Sequence, residues 1–397
     1  MLRYQTAGES HGPQLTAIVS GFPAGVPVAP EDINRDLARR QKGYGRGGRM
    51  NIEKDRVQFL SGIRFGLSIG SPITLVIPNL DFQNWQDVMS PLPASEDISR
   101  RVTRPRPGHA DLPGALKYGH KDARNILERS SARETAARVA VGALCKTLLK
   151  QFNIDVFSHV IRIADVQAKP DSLSFDEIKQ AASVSDLSCA DVNASQRMKK
   201  KIDEAKAKGD TVGGVAEIIA MGVPVGLGGV MNWEERLDGI LAGAIMSIPS
   251  VKGVEIGIGF TAAGIFGSLV HDEIFYAPTK PKALNGHGPS GGFYRKTNNA
   301  GGIEGGISNG EPVVIHAAFK PIPTMMTPKR SVDLVTKEPF DASKERSDVC
   351  AVPAAAVVAE AMTAFILAQA FIAKFGGDSM GEMKKNYDSY IQYLKRY

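Results

Sequence analysis

Apolar positions along this chain follow two rhythms. Continuous or alternating apolar runs predict strands at 15–22, 57–63, 72–78, 156–163, 214–221, 254–260 and 312–319. Apolar residues recurring every three or four positions predict helices at 30–41, 131–152, 194–208, 233–247, 353–375 and 382–397. Pro30 suits the first turn of its helix, and Ile33 and Leu37 mark one face of it. Ser131-Ala132-Arg133-Glu134 reads as a capping box, which would start the second helix at Ser131. The 353–375 run is apolar on every side, rich in alanine and interrupted by Glu360 and Gln369. Such a pattern predicts a helix buried in a large core and not a membrane span.

Strands and helices are mixed throughout, and no long linker or low-complexity tract divides them. The pattern therefore predicts one α+β domain over residues 1–397, with the more polar 164–210 stretch as a peripheral excursion. Gly21-Phe-Pro-Ala-Gly-Val and Gly222-Val-Pro-Val-Gly-Leu are alike, and each precedes a helix. They suggest a worn internal duplication.

Composition adds little to the fold but narrows the function. Of 397 residues, 43% are hydrophobic and 23% charged, which suits a globular core. Cys145, Cys189 and Cys350 are widely spaced and odd in number, so neither a disulfide framework nor a zinc site is expected. With no apolar leader at the N-terminus, a reducing, cytoplasmic setting is expected. The net charge of +6 is less telling than where the charge lies. Arg35, Arg39, Arg40, Lys42, Arg46, Arg49, Lys54 and Arg56 face only Asp36, Glu53 and Asp55. A second basic stretch runs from Arg100 to Arg138. Arginine dominates both, and its planar fork pairs bidentately with phosphate and carboxylate. Tyr44 is the one ring inside the first stretch, which argues against stacking on single-stranded nucleic acid.

Gly43-Tyr-Gly45-Arg-Gly47-Gly48 and Gly286-His-Gly288-Pro-Ser-Gly291 match the spacing of a dinucleotide fingerprint. The first follows a helix and not a strand, so a Rossmann site is not supported. Its glycines instead let a backbone carrying Arg46 and Arg49 approach an anion closely. Seven histidines show no metal-binding spacing, and no metal is expected. His11 and His109 lie in glycine-flanked turns beside serine, arginine or acidic residues, and imidazole suits proton transfer near neutrality. Arg129, Ser130, Ser131 and Arg133 cluster where a helix is expected to begin, a natural anion site. Lys320, Pro321, Ile322, Pro323 and Thr324 form a stiff segment after a strand, and Arg346 and Asp348 make either an ion pair or an anion ligand beside a base.

Taken in order, these segments resemble the chorismate synthase family. The stretches are Ala7-Gly-Glu-Ser-His-Gly12, Arg39-Arg-Gln-Lys-Gly-Tyr-Gly-Arg-Gly47-Gly48, Arg104-Pro-Arg-Pro-Gly-His-Ala-Asp111, Ser130-Ser-Ala-Arg-Glu-Thr-Ala-Ala-Arg138, Gly301-Gly-Ile-Glu-Gly-Gly-Ile-Ser308 and Arg346-Ser-Asp-Val-Cys-Ala-Val-Pro353. The resemblance implies a β-α-β sandwich, with helices packed between antiparallel sheets, assembled as a homotetramer. It implies 1,4-anti elimination of phosphate from 5-enolpyruvylshikimate 3-phosphate, giving chorismate, the last common step toward the aromatic amino acids. Reduced FMN would be required without net redox change, with NADPH or a separate flavin reductase as its source of electrons. The resemblance implies catalytic roles for His11 at the leaving phosphate, His109 beside the flavin, and Asp348 as acceptor, through the flavin, of the departing proton. Ser10, Arg40, Arg46, Arg49, Ser131, Arg133 and Arg346 would hold the substrate. Arg129, Ser130, Ser131, Pro249, Ser250, Gly305, Lys320, Pro321, Ile322, Pro323, Thr324 and Arg346 map to flavin-contacting segments, and Arg40 and Arg46 to positions linked with NADP. Ser347 stands where many relatives carry histidine. A conventional flavin oxidoreductase acting on a phosphorylated anion is the competing reading. Neither reading calls for nucleic acid or a membrane.

Overall fold

The computed structural model describes residues 1–47, 54–93, 101–170, 172–277, 292–342 and 348–397. Two antiparallel sheets enclose the core. The first runs in the order Arg3–Ala7, Gln14–Ser20, Ile73–Pro78, Gln58–Ser61. The second runs Val251–Ile256, Val313–Phe319, Gly214–Met221, Asp155–Ile163, Val166–Gln167. Period-two alternation gives each sheet an inward apolar face. Leu15, Ala17 and Val19 supply it in the first sheet, and Val313, Ile315, Ala317 and Phe319 in the second.

Two helices fill the space between. Thr135–Lys150 lies against the first sheet, Val352–Phe375 lies against the second, and the two helices pack on each other. A Cβ on Gly142 would land on the backbone of Ala361, so this glycine sets the closeness of the crossing. One core cluster runs from Leu2 to Met383. The arrangement is the expected β-α-β sandwich.

Val352–Phe375 is the one helix, among the described residues, long and apolar enough to cross a membrane, and it is largely buried inside the molecule. Its acidic break, Glu360, is fully buried and accepts hydrogen bonds from Arg39 at 2.6 and 2.8 Å, from Ser158 Oγ at 2.7 Å, and from Lys146. Burial alone would push the Glu360 carboxyl up, but Arg39 and Lys146 outweigh it and hold the group ionised.

The structure revises several local expectations. The helix placed at 131–152 opens with a 3-10 turn, Ala132–Glu134, and becomes α-helical only at Thr135. Ser131 Oγ accepts from Arg133 N–H, and the Glu134 side chain is drawn to Thr6 and Arg138, so the capping box does not close. The strand placed at 254–260 begins earlier, at Val251, and ends at Ile256 because Gly257 and Gly259 turn the chain with positive φ. The Arg3–Ala7 strand and the Asp111–Tyr118, Arg124–Ser130 and Phe175–Ser183 helices were not signalled by apolar periodicity.

The internal likeness is structural. Gly25 N–H donates to Ser68 O and Ser68 N–H to Val26 O, while Gly226 N–H donates to Ser308 O and Ser308 N–H to Leu227 O. Ser68 Oγ donates to Pro23 O and accepts from Val26 N–H, just as Ser308 Oγ donates to Pro224 O and accepts from Leu227 N–H. The same strand–turn–hairpin unit follows one strand of each main sheet, Gln14–Ser20 in the first and Gly214–Met221 in the second, and its hairpin forms a separate two-stranded ribbon.

Candidate active site

The loop between the first two strands carries Ser10 and His11. Ser10 N–H donates to Glu128 O at 2.9 Å, and Ser10 Oγ lies 3.0 Å from Ser131 Oγ. His11 Nδ1 is 2.9 Å from Glu128 Oε1, and Trp85 stacks on the imidazole with ring centroids 3.9 Å apart. The Arg124–Ser130 helix and the 3-10 turn after it thus hold both loop residues.

Beside them is a buried charge cluster. Asp55 is gripped from two sides, by Arg40 Nη1 at 3.3 Å and by Arg133 Nη1. Arg40 also donates to Thr135 Oγ1 at 3.0 Å and Ala132 O at 2.8 Å, and Arg133 to Asn79 Oδ1 at 2.9 Å. Burial, with the Asp55 charge only partly compensating, pulls the Arg40 guanidinium down to about 10. Two arginines read from the sequence as anion ligands are therefore built into the floor of the site, where two positive charges and one negative leave a net positive field. Asp55 was legible only as an opposing charge in a basic run.

The glycine loop folds onto the start of the Val352–Phe375 helix. Arg46 Nη1 is 2.6 Å from Asp348 Oδ2, Gly47 N–H donates to Asp348 Oδ1 at 2.6 Å, and Val349 N–H donates to Gly45 O. Arg46 and Asp348 lie close enough to Arg40 to act on its charge, which joins this pair to the cluster. Arg49 and Arg346 lie outside the described residues, as do Ser347 and the 286–291 glycine motif.

His109 is held differently. Its Nδ1 is 2.6 Å from Asp111 Oδ1, and Arg106 donates to Asp111 Oδ2 through Nε at 2.9 Å. Asp111 is fully buried; burial pushes its carboxyl up, but the hydrogen bonds of His109 and then Arg106 overcome this and keep it well below the usual range. Lys320 Nζ donates to Gly108 O and Arg106 Nη1 reaches Thr324 Oγ1, so the His109 loop docks on the segment of Lys320, Pro321, Ile322, Pro323 and Thr324. Lys320 N–H donates to Ser250 O at 2.9 Å, which brings in Pro249 and Ser250. Ser250 takes φ +75, a conformation that costs a non-glycine residue about 1–3 kcal/mol and persists only where its surroundings hold it. The Asp111–Tyr118 helix packs on Arg124–Ser130, which links the two histidine loops.

Arg129 donates to Thr6 O and Oγ1 at 3.0 and 2.8 Å and keeps nearly half its side chain exposed, whereas Ser130 Oγ is turned back to Ile126 O. Gly305 stands apart. It tips the hairpin of Ile303–Glu304 and Ile307–Ser308, which pairs with Gly228, at the opposite end of the Val313–Phe319 strand from Lys320. A strand of that length spans about 20 Å. Among the described residues no cluster of histidine, cysteine, aspartate or glutamate could hold a metal ion.

An α+β sandwich whose two histidines are each fixed by a buried carboxylate, beside an arginine-rich floor, defines an enzyme that moves protons on an anionic small molecule. The family model of chorismate synthase matches residues 2–372. The chain is 60% identical over 397 residues to chorismate synthase of Geobacter sulfurreducens and 57% identical to that of Desulforamulus reducens, covering the whole of each. A crystal structure of chorismate synthase superposes with a TM-score of 0.79 at 42% identity, over 100% of this chain and 99% of that one. The chain belongs to the chorismate synthase family, and so to the carbon–oxygen lyases.

Proposed function

We propose that this protein converts 5-enolpyruvylshikimate 3-phosphate to chorismate and phosphate by 1,4-anti elimination, with reduced FMN and without net redox change. The observation that carries the reading is His11, clamped by Glu128 beside Ser10 and Ser131 over the arginine floor. Loss of phosphate builds negative charge on the leaving oxygen, and a fixed imidazole next to a positive field is suited to neutralise it. Ser10 and Ser131 orient the phosphate. Arg46, Arg49 and Arg346 hold the anionic groups, and Arg40 and Arg133 act from below through their charge. Asp348, paired with Arg46 at 2.6 Å, would take up through the flavin the proton that leaves carbon.

The residues suit a flavin phosphate. Burial, and after it the charge of nearby Lys252, depress the Lys320 ammonium, and a bound anion would relieve that repulsion. Arg129, Ser130, Ser131, Pro249, Ser250, Lys320, Pro321, Ile322, Pro323 and Thr324 would hold FMN, with His109 against its ring. When bound, reduced FMN supplies electron density to the breaking C–O bond and recovers it. NADPH as reductant would meet Arg46 before the buried Arg40; a separate flavin reductase is the other source. We further propose that residues 1–397 work as one domain in the cytoplasm and assemble as a homotetramer. Exposed Val230, Met231 and Trp233 around the Gly305 hairpin support assembly, which would let that hairpin serve a neighbouring copy.

The test is anaerobic phosphate release from 5-enolpyruvylshikimate 3-phosphate with FMN and dithionite, with oxidised FMN as control. Equal phosphate and chorismate over many turnovers, only with reduced flavin, is expected. Consumption of reductant with each turnover would favour the oxidoreductase instead.

A further inference from the structure

Glu128 belongs to none of the motifs that point to the chemistry, yet it organises His11 completely. Its side chain is 1% exposed. It accepts from His11 N–H at 2.9 Å, contacts His11 Nδ1 through both carboxylate oxygens at 2.9 and 3.0 Å, and its own backbone carbonyl takes Ser10 N–H. Arg124, one turn earlier, donates to Glu128 Oε1 at 3.4 Å and lies 5.3 Å from the Trp85 ring. Trp85 covers the imidazole at an interplanar angle of 26° and is itself tied by Nε1 to Asp81 Oδ2 at 3.1 Å. Burial, the largest influence on Glu128, pushes its carboxyl up, but the hydrogen bonds and charge of His11, then Arg124, bring it below the usual value. An anionic acceptor against Nδ1 holds a proton there, which leaves Nε2 as the nitrogen free to exchange one. Among the described residues Nε2 has no hydrogen-bond partner.

We propose that Glu128, with Trp85 closing the ring face, is the positioning residue that fixes the tautomer and plane of His11, so that proton transfer runs through Nε2 alone. Glu128 reaches the substrate only through His11. The inference rests on the reading of His11 as proton donor, and the test separates the two. In the full-length protein labelled with 15N-histidine, assigned by a His11→Asn control, the neutral His11 ring is expected to carry its proton on Nδ1. Glu128→Ala and the isosteric Glu128→Gln should both mix the tautomers. Each should lower kcat by about 10–100-fold while leaving KM within about twofold, the pattern of a lost outer partner to a fixed imidazole. If Glu128→Ala does not fold, Glu128→Gln gives the same two readouts. A native tautomer pattern in the variants overturns the proposal, and so does unchanged kcat with mixed tautomers. If the native protein releases no phosphate, the reading of the reaction fails, and the tautomer spectrum still decides the positioning.

Discussion

Asp55 is a fully buried carboxylate in contact with two buried guanidinium groups, Arg40 and Arg133. Replacing Asp55 by Asn leaves two buried cations without a counter-charge. It should destabilise the fold by about 3–5 kcal/mol, which urea unfolding would register, as well as disturb catalysis. Asp348 is different, because it is partly exposed and held by Arg46 and a loop N–H. Asp348→Asn keeps the shape and the hydrogen bond from Gly47 but cannot take a proton. Turnover should fall by about 100-fold or more while the substrate still binds, measured as phosphate release and as equilibrium binding. Near-native turnover would remove Asp348 from the chemistry. His11, His109, Ser131 and Arg46 were legible as candidates because their chemistry is local and their neighbours are glycines or hydroxyls; Ser10, and a proton-accepting role for Asp348, came only with the family resemblance. Of the groups that fix the two histidines, Asp111 was legible as an acidic neighbour in the His109 motif, whereas Glu128 and Trp85 were not, since a carboxylate or a ring in sequence looks the same whether it is solvated or packed against a distant imidazole.

The repeated unit offers a test at the scale of the element. Ser68 and Ser308 are buried and each bridges a strand turn to a hairpin through one donated and one accepted hydrogen bond. Ser68→Ala and Ser308→Ala should each cost about 1–3 kcal/mol, by similar amounts, because each strands a buried backbone N–H and C=O. Unequal losses in thermal unfolding would mean that the two units no longer share one role. In the second sheet, Glu217 accepts from His159 Nε2 and His316 Nε2, both at 2.8 Å, across three neighbouring strands. Burial, the largest influence, raises the Glu217 carboxyl, but the hydrogen bonds from His159 and His316 carry it down to about 2, below its ordinary 4.5. A depressed carboxyl contributes stability above its unfolded value and loses it as pH falls through the folded one. The protein should therefore lose stability between about pH 4.5 and 2, and Glu217→Gln should flatten that part of the curve.

At the scale of the whole molecule, Met231, Trp233, Phe260 and Phe266 are large apolar side chains left exposed on the single chain, and they are the surface on which the proposed assembly can be tested. If the proposed assembly uses this face, Trp233→Asp should shift sedimentation toward smaller species; an unchanged profile would count against this face as an interface, and a monomeric native profile against the assembly itself. By itself the sequence determined the mix of strands and helices, the burial of the 352–375 helix and the residue types that handle anions and protons. These depend on periodicity, on glycine spacing and on side-chain chemistry, all of which are properties of short stretches. Only the tertiary structure decided that Arg40 and Arg133 neutralise Asp55, why Glu360 is tolerated in the core, and where Gly305 stands relative to Lys320. Those outcomes depend on which distant charges and strand ends become neighbours, because Coulomb and hydrogen-bond energies are set by distance and burial, and neither is written in the order of residues.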